Sequence, residues 1–253
     1  MEPAAIEQMY QIENHHWWFV GKRLLVAVLL GEVLDTRGLR ILDIGCGTGA
    51  VLAHLKERAR AVGVDHSPLA LAYCRKRGLA LLACADGERL PFVPASFDVI
   101  LMLDVLEHAI DDVGLLRAVG ALLRPGGMVL VSVPAFQGLW SPHDEVLHHL
   151  RRYTARGLRR VMNEAGFVVE RLTYTNVAAF PPAAIARGIL PRVGLARPAG
   201  TTDFRVHTPW VNRALIAAYQ LEALALRHVR SLPIGLSVAA LARPARFGDA
   251  GQT

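Results

Sequence analysis

The chain has 253 residues, a hydrophobic fraction of 53% and a mean hydropathy of +0.31, enough for one large α/β domain or a domain with an elaboration. No run reaches about 18 apolar residues without a charge: Lys22, Arg23 and Glu32 interrupt the nearest one, at 20–34, so no transmembrane helix is expected. The net charge of +6 is lopsided, with 18 basic against 19 acidic side chains over residues 1–170 and 10 against 3 over residues 171–253.

A basic last third suits an anionic partner such as a phosphorylated substrate, a membrane surface or a nucleic acid. A solvated basic surface explains it equally well. Cys46, Cys74 and Cys84 have no metal-ligand spacing, so no metal site is expected. An odd, small cysteine count fits a reducing cytoplasm, and Met1–Gln8 lacks the basic start and apolar run of a secretory signal.

Residues 1–20 read as helical and then aromatic, through Tyr10, His15, His16, Trp17, Trp18 and Phe19. Arg23–Leu34 is an apolar helix, stopped by Thr36-Arg37-Gly38. Leu39–Ile44 is a buried strand carrying one acid, Asp43, and it runs into Gly45-Cys46-Gly47-Thr48-Gly49. A helix opens at Ala50 and reaches about Arg58. A strand, a glycine-rich turn and a helix N-terminus make a nucleotide-binding corner. Ala61–Val64 is the second strand, ending at Asp65; Ser67-Pro68 caps and starts the next helix. Leu79–Cys84 is the third strand, ending at Asp86, and Phe97–Leu103 the fourth, apolar as in a sheet covered on both faces. Asp111–Leu123 is a helix, Arg124–Gly127 a turn and Met128–Val133 the fifth strand. This alternation predicts a doubly wound parallel sheet. Pro134–Tyr153 is a long connection rich in His, Trp and Arg; Thr154 caps a further helix ending near Gly166, and Phe167–Tyr174 is the sixth strand. Residues 178–231 form an insertion with prolines at 181, 182, 191 and 198 and a helix from Thr208-Pro209, before a last strand at Ile234–Ala242 and a disordered tail. Val211, Leu215, Tyr219, Leu226 and Val229 recur at helical spacing, a stripe more often core than interface.

Asp43, Asp65 and Asp86 place three acids along one edge of the sheet. A pyrophosphate would be repelled there, whereas a cationic cofactor would not. Together, ILDIGCGTG, VGVDHSP, ADGERLPFVPASFDVILMLDVLEH and LLRPGGMVLVSVP, spread over residues 39–134, resemble the class I S-adenosylmethionine-dependent methyltransferases, the small-molecule, type 11-like subgroup. The resemblance implies a seven-stranded Rossmann-like sheet with its last strand antiparallel, and S-adenosylmethionine as cofactor. It implies that Asp43 anchors the methionine amino group and that Gly45 and Gly47, with Cys46 between them, line the methionine and ribose. It further implies that Asp65, with His66 beside it, accepts from the ribose hydroxyls, that Asp86 and Gly87 meet the adenine, and that Leu103 presents backbone. At His108 it implies a place in the cofactor-side framework.

Methyl transfer needs aligned donor and acceptor and often a base. His143 with the adjacent Asp144 is the first choice, His108 the second, and His148 and His149 lie in the same loop. LWSPHDEVLHHLRRYT and HHWWFVGKRLL are similar to a bacterial subgroup tied to glycan or secondary-metabolite pathways. Trp18, His148, Arg152 and Tyr153 are the candidate substrate contacts, although Trp17, Trp18 and Phe19 can equally pack the first helix, and Arg151 and Arg152 can pair with Asp144 or Glu145. The chain thus divides into a helical lid (1–36), a methyltransferase core (37–177 and 232–243), a helical substrate cap (178–231) and a tail (244–253). The expected activity is O-methylation of a small-molecule or glycan-like metabolite, anionic or lipid-linked, by a cytoplasmic biosynthetic enzyme with no nucleic-acid partner. Peripheral membrane contact suits the insertion, and a homodimer interface is its main competitor. Nicotinamide-dependent oxidation and a non-catalytic cofactor-binding scaffold are the alternatives.

Overall fold

The computed structural model describes residues 3–87, 89–190 and 208–245. Its centre is a seven-stranded sheet in the order β3-β2-β1-β4-β5-β7-β6. The strands are β1 Arg40–Ile44, β2 Arg60–Asp65, β3 Leu82–Cys84, β4 Phe97–Leu103, β5 Leu123–Pro134, β6 Phe167–Thr175 and β7 Ser237–Pro244. β1 to β5 are parallel, and β7 runs antiparallel to both β5 and β6. The chain runs outward through β2 and β3 and then returns to β4 on the other side of β1. The carboxyl ends of β1 and β4 therefore border the crevice where doubly wound sheets take ligands.

The helices are α1 Pro3–Ile12, α2 Trp17–Leu30, α3 Ala50–Leu55, α4 Pro68–Lys76, α5 Asp112–Leu122, α6 Pro142–Val146, α7 Ala155–Glu164, α8 Phe180–Ala184 and α9 Pro209–His228. Leu116 and Val119 of α5 and Leu158 and Met162 of α7 cover one face of the sheet. Leu25, Val26 and Leu29 of α2, with Leu226 of α9, cover the other. Both faces of β1, β4 and β5 are thus withdrawn from water, which is why those strands read as unbroken apolar runs.

Several elements differ from the sequence expectations. α2 starts at Trp17, not Arg23, because the His16 ring accepts from the Trp18 N–H at 3.3 Å and caps the helix. α2 is also a layer of the core rather than part of a separate lid; only α1 and the first turns of α2 lie over the crevice. β3 is confined to Leu82–Cys84, because Leu79 is buried with Cys46, Leu52, Leu71 and Cys74 beneath the sheet edge. The expected turn at Arg124–Gly127 is an irregularity within β5, where Phe97 pairs with Leu123 and Val99 with Met128. β7 begins at Ser237 rather than Ile234, because the chain first crosses Thr175 at Gly235, where a Cβ would lie 2.1 Å from the Thr175 carbonyl oxygen.

Residues 180–189, rich in proline at their start, are helical, as α8 followed by a π-turn over Ile185–Ile189. Tyr219 and Leu226 of the expected stripe are buried, whereas Val229 follows the helix and is exposed. Pro244 and Ala245 are ordered, with the Ala245 N–H donating to the Gly166 carbonyl at 2.8 Å. Pro191, Pro198 and the tail from residue 246 lie outside the described residues.

Candidate active site

β1 ends at Ile44, and the chain turns through Gly45 and Gly47 at φ of +69° and +55° before entering α3. A Cβ on Gly45 would meet the Val105 side chain at 2.6 Å, so only glycine leaves this floor open. Asp65, at the end of β2, holds the turn: its Oδ2 accepts from the Gly47 N–H at 2.9 Å and its Oδ1 from the Ser67 N–H at 2.8 Å. α1 is fastened over the same turn, with the Glu13 carboxylate accepting from Thr48 and Arg77, and Tyr10 stacked on Tyr73 at 4.4 Å. Burial raises the Glu13 pKa against the pull of Thr48 and Arg77.

Above this floor is a cavity of about 900 Å³. Asp43, Gly45, Cys46, Gly47, Asp65, His66, Asp86, Gly87, Leu103 and His108 all line it. Asp43 is buried, and burial together with the Asp65 charge pushes its pKa to about 7, partly opposed by Lys22. The sequence reading missed Lys22, which pairs with Asp104 and sits 5.4 Å above the Trp18 ring. The helical spacing of Trp18 and Lys22, four residues apart, is the signal that could have found it. Asp104 was missed too. It takes φ of +57° directly after β4, a strained conformation for a non-glycine residue.

The same cavity is lined by Glu107, His108, His143, His148 and His149. Glu107 is fully buried and both carboxylate oxygens lack a hydrogen-bond partner. Burial, then Asp104, raises its pKa well above the usual carboxylate range. His108 packs edge-on against His149 with ring centroids 4.9 Å apart. Burial, then the neighbouring His149, pushes the His108 pKa down to about 4, which leaves its ring neutral at pH 7.

Asp144 does not pair with His143 as expected. It is fully buried on the inner side of α6, where it accepts from Arg152 Nε and Nη2, both at 2.8 Å, and stands 2.9 Å from His149 Nδ1. Burial opposes its charge, but the bonds from His149 and Arg152 outweigh it and hold the carboxyl well below the usual range. Asp144 is therefore a support behind the wall, and His149 is the ring it orients. Arg152 is neutralised by Asp144 and also donates to the Ala135 carbonyl at 3.1 Å, so it is not a free anion site. Arg151 pairs with Asp112 at 3.1 Å. Tyr153 lies away from the cavity, buried, with its hydroxyl donating to Asp112 at 2.8 Å. Trp18 and His148 do line the cavity, with Trp17 and Phe19 beside them.

Residues 42–131 match a family model described as a methyltransferase domain. Over this segment, about a third of its length, the chain is similar to methyltransferase domains. A ubiquinone biosynthesis O-methyltransferase of Methylocella silvestris is 39% identical over 101 residues, 38% of this chain and 40% of that protein. The chain spans less than half the length of the curated relatives it matches. Among solved structures, a chain of the complex between the Haloferax volcanii Trm112 methyltransferase activator and a methyltransferase superposes with a TM-score of 0.62 at 18% identity, over 96% of this chain and 94% of that one. Phosphoethanolamine N-methyltransferase 2 of Haemonchus contortus, solved with S-adenosyl-L-methionine, gives 0.55 at 18% identity over 87% of this chain and 52% of that one. Both show the shared fold.

The residues of the matched segment fit S-adenosylmethionine. Asp43 and Asp65 put carboxylates in the cavity wall for a cationic, hydroxyl-bearing cofactor, the Lys22 charge is taken up by Asp104, and Gly45 and Gly47 keep the floor clear of side chains. Sequence order alone cannot show which histidine of Pro134–Tyr153 meets Asp144, because the α6 turn, not adjacency, sets that pairing.

Proposed function

We propose that this protein transfers a methyl group to an oxygen of a small, largely apolar acceptor, with His149 as the general base. The carrying observation is one cavity lined both by Asp43 and Asp65 beside the glycine turn and by a histidine braced by a buried carboxylate. Bound S-adenosylmethionine supplies an electrophilic methyl group on a sulfonium. Asp144 fixes His149 with Nδ1–H toward it, which leaves the Nε2 lone pair, 3.8 Å from Glu107 Oε1, to take the proton of an acceptor hydroxyl that enters beside Glu107. Glu107, whose oxygens accept no hydrogen bond and whose Oε1 stands 3.8 Å from His149 Nε2, is the polar group that an acceptor hydroxyl can satisfy. Trp17, Trp18, Phe19 and Leu215 make the acceptor's surroundings apolar, which suits an aromatic or lipid-linked molecule. The O-methyltransferase names of the relatives support oxygen over nitrogen. The free thiols of Cys46, Cys74 and Cys84 support a reducing cytoplasm.

Calorimetry with S-adenosylmethionine and with nicotinamide dinucleotide tests the cofactor half. Methyl transfer from labelled cofactor to a panel of phenols and prenylated phenols tests the rest. Binding of the nicotinamide cofactor alone would overturn the first half; transfer confined to amines would overturn the second.

A second reading rests on one observation: Glu107, His108 and His149 each offer a ligand atom, all within 4.8 Å of one another. That donor set suits a divalent cation that polarises the acceptor oxygen. Activity lost on chelation and restored by a divalent metal would favour this reading. Activity indifferent to chelator leaves His149 as a proton acceptor.

A further inference from the structure

We propose that the outward face of α9 docks on an anionic lipid bilayer and sets the cavity mouth against the membrane surface. The idea deepens the acceptor reading above and rests on it only for what enters the cavity; the docking itself stands on α9.

α9 turns Tyr219, Ala223 and Leu226 inward, where the Tyr219 ring meets Gly21 of α2. The opposite face carries Trp210, Ala214, Ala217, Leu221, Leu224 and His228, spaced by helical turns. Trp210 is 71% exposed, Leu221 67% and Leu224 51%. A helix facing water carries charge on that side; from Trp210 to Leu224 this stripe carries none. Exposed apolar faces of this kind mark partners or membranes.

The charge around the stripe selects the partner. Among the described residues of 178–231 the arginines are Arg187, Arg213, Arg227 and Arg230, and the one acid is Glu222. The Glu222 carboxylate is turned inward, accepting from the Asn176 and Val177 N–H groups at 2.7 and 2.8 Å. α9 therefore presents no carboxylate outward, while Arg213 and Arg227 flank the stripe and Arg230 follows it, all exposed. A second copy would set arginine against arginine, whereas anionic headgroups neutralise them. Trp210 at one end and arginines that can snorkel at the flank suit the boundary between headgroup and acyl chain. No helix among the described residues is long and apolar enough to cross a membrane, so the contact is peripheral.

The same helix forms the cavity wall. Val211 and Leu215 line the cavity, each one residue beyond an outward-facing neighbour, and Pro182, Ala183 and Arg187 line it from the preceding segment. An apolar acceptor leaving the bilayer beside α9 would pass directly into the cavity.

Cosedimentation with vesicles of phosphatidylcholine, with and without phosphatidylglycerol, tests this. The full chain should pellet with the anionic vesicles at least about tenfold more strongly than with the neutral ones, and less at high salt. Leu221→Glu with Leu224→Glu should cut that binding about tenfold or more, with cofactor affinity unchanged. Arg213→Glu with Arg227→Glu is the second variant and should weaken anionic binding alone. Failure to pellet with either vesicle, or pelleting untouched by both double variants, overturns the proposal. So does light scattering that shows a dimer dissociated by the Leu221→Glu, Leu224→Glu variant, since the face would then belong to a second copy. Cofactor calorimetry on the same samples separates this failure from failure of the methyltransferase reading.

Discussion

His149 Nδ1 stands 2.9 Å from Asp144 Oδ1, and the same oxygen accepts from Arg152 Nε at 2.8 Å. One buried carboxylate therefore fixes both a ring and its own counter-charge. His149→Ala should lower kcat by about 10²–10⁴-fold, the usual range for a lost general base, with the calorimetric affinity for S-adenosylmethionine unchanged. His143→Ala should cost much less. A kcat equal to wild type in His149→Ala would remove it from the base role.

Asp144 is held ionised by His149 and Arg152 against its burial. A folded pKa below the unfolded one adds stability that is present above the unfolded value and lost as pH falls through the folded one. Arg152→Met should cost about 3–5 kcal/mol, because it strands a buried charge, and should move acid unfolding to higher pH. Urea melts of both proteins between pH 3 and pH 7 would show it, at roughly those values of pH where carboxylates titrate.

Asp43 behaves oppositely. Burial and Asp65 raise its pKa to about 7, so its contribution is full at low pH and is lost as pH rises toward and through that value. Asp43→Asn should stabilise the cofactor-free protein above that pH by up to about 4 kcal/mol, three units at about 1.36 kcal/mol each. The same variant should bind S-adenosylmethionine far more weakly. In the wild type, cofactor affinity should rise with pH up to about 7 and then level off. Thermal melts and calorimetry on either side of neutrality would check both signs.

Asp65 has a double task, since it already accepts from the Gly47 and Ser67 N–H groups. Asp65→Ala should weaken cofactor binding by roughly 1.5–3 kcal/mol, the loss of charge-assisted hydrogen bonds. Because the variant also frees the Gly47 turn, it should lower the melting temperature without cofactor. An unchanged dissociation constant would take Asp65 out of the cofactor site.

Gly21 is where α9 meets α2. A Cβ there would lie 2.4 Å from the Tyr219 ring, which is itself buried. Helix propensity favours alanine by about 1 kcal/mol, but overpacking against an immobile ring costs about 1–3 kcal/mol. Gly21→Ala should therefore destabilise the protein, and Tyr219→Leu in the same chain should recover part of the loss. Chemical denaturation of the two variants measures the difference.

Periodicity and punctuation were enough to reveal the parallel strands, the Gly45–Gly49 turn and the acids at the strand ends. Each is a local event: an apolar run, a glycine at positive φ, a carboxylate within two residues of a strand end. Those acids, with Gly45 and Gly47, line one cavity because parallel strands bring their carboxyl ends to one edge of the sheet. The sequence by itself thus determined the fold class and the cofactor corner. Partner choice was decided only by the tertiary structure. Asp144 met His149 rather than its neighbour His143, because the Ser141–Asp144 capping box closes a helical turn and points the carboxylate inward. Tyr153 went to Asp112, 41 residues away, instead of the cavity, and Lys22 to Asp104, 82 residues away. The outward apolar side of α9 emerged only once α2 had claimed the other side, since helical spacing marks a stripe but not which stripe is covered. Long-range pairing and the choice of buried face depend on chain segments arriving from elsewhere, and no local pattern encodes their arrival.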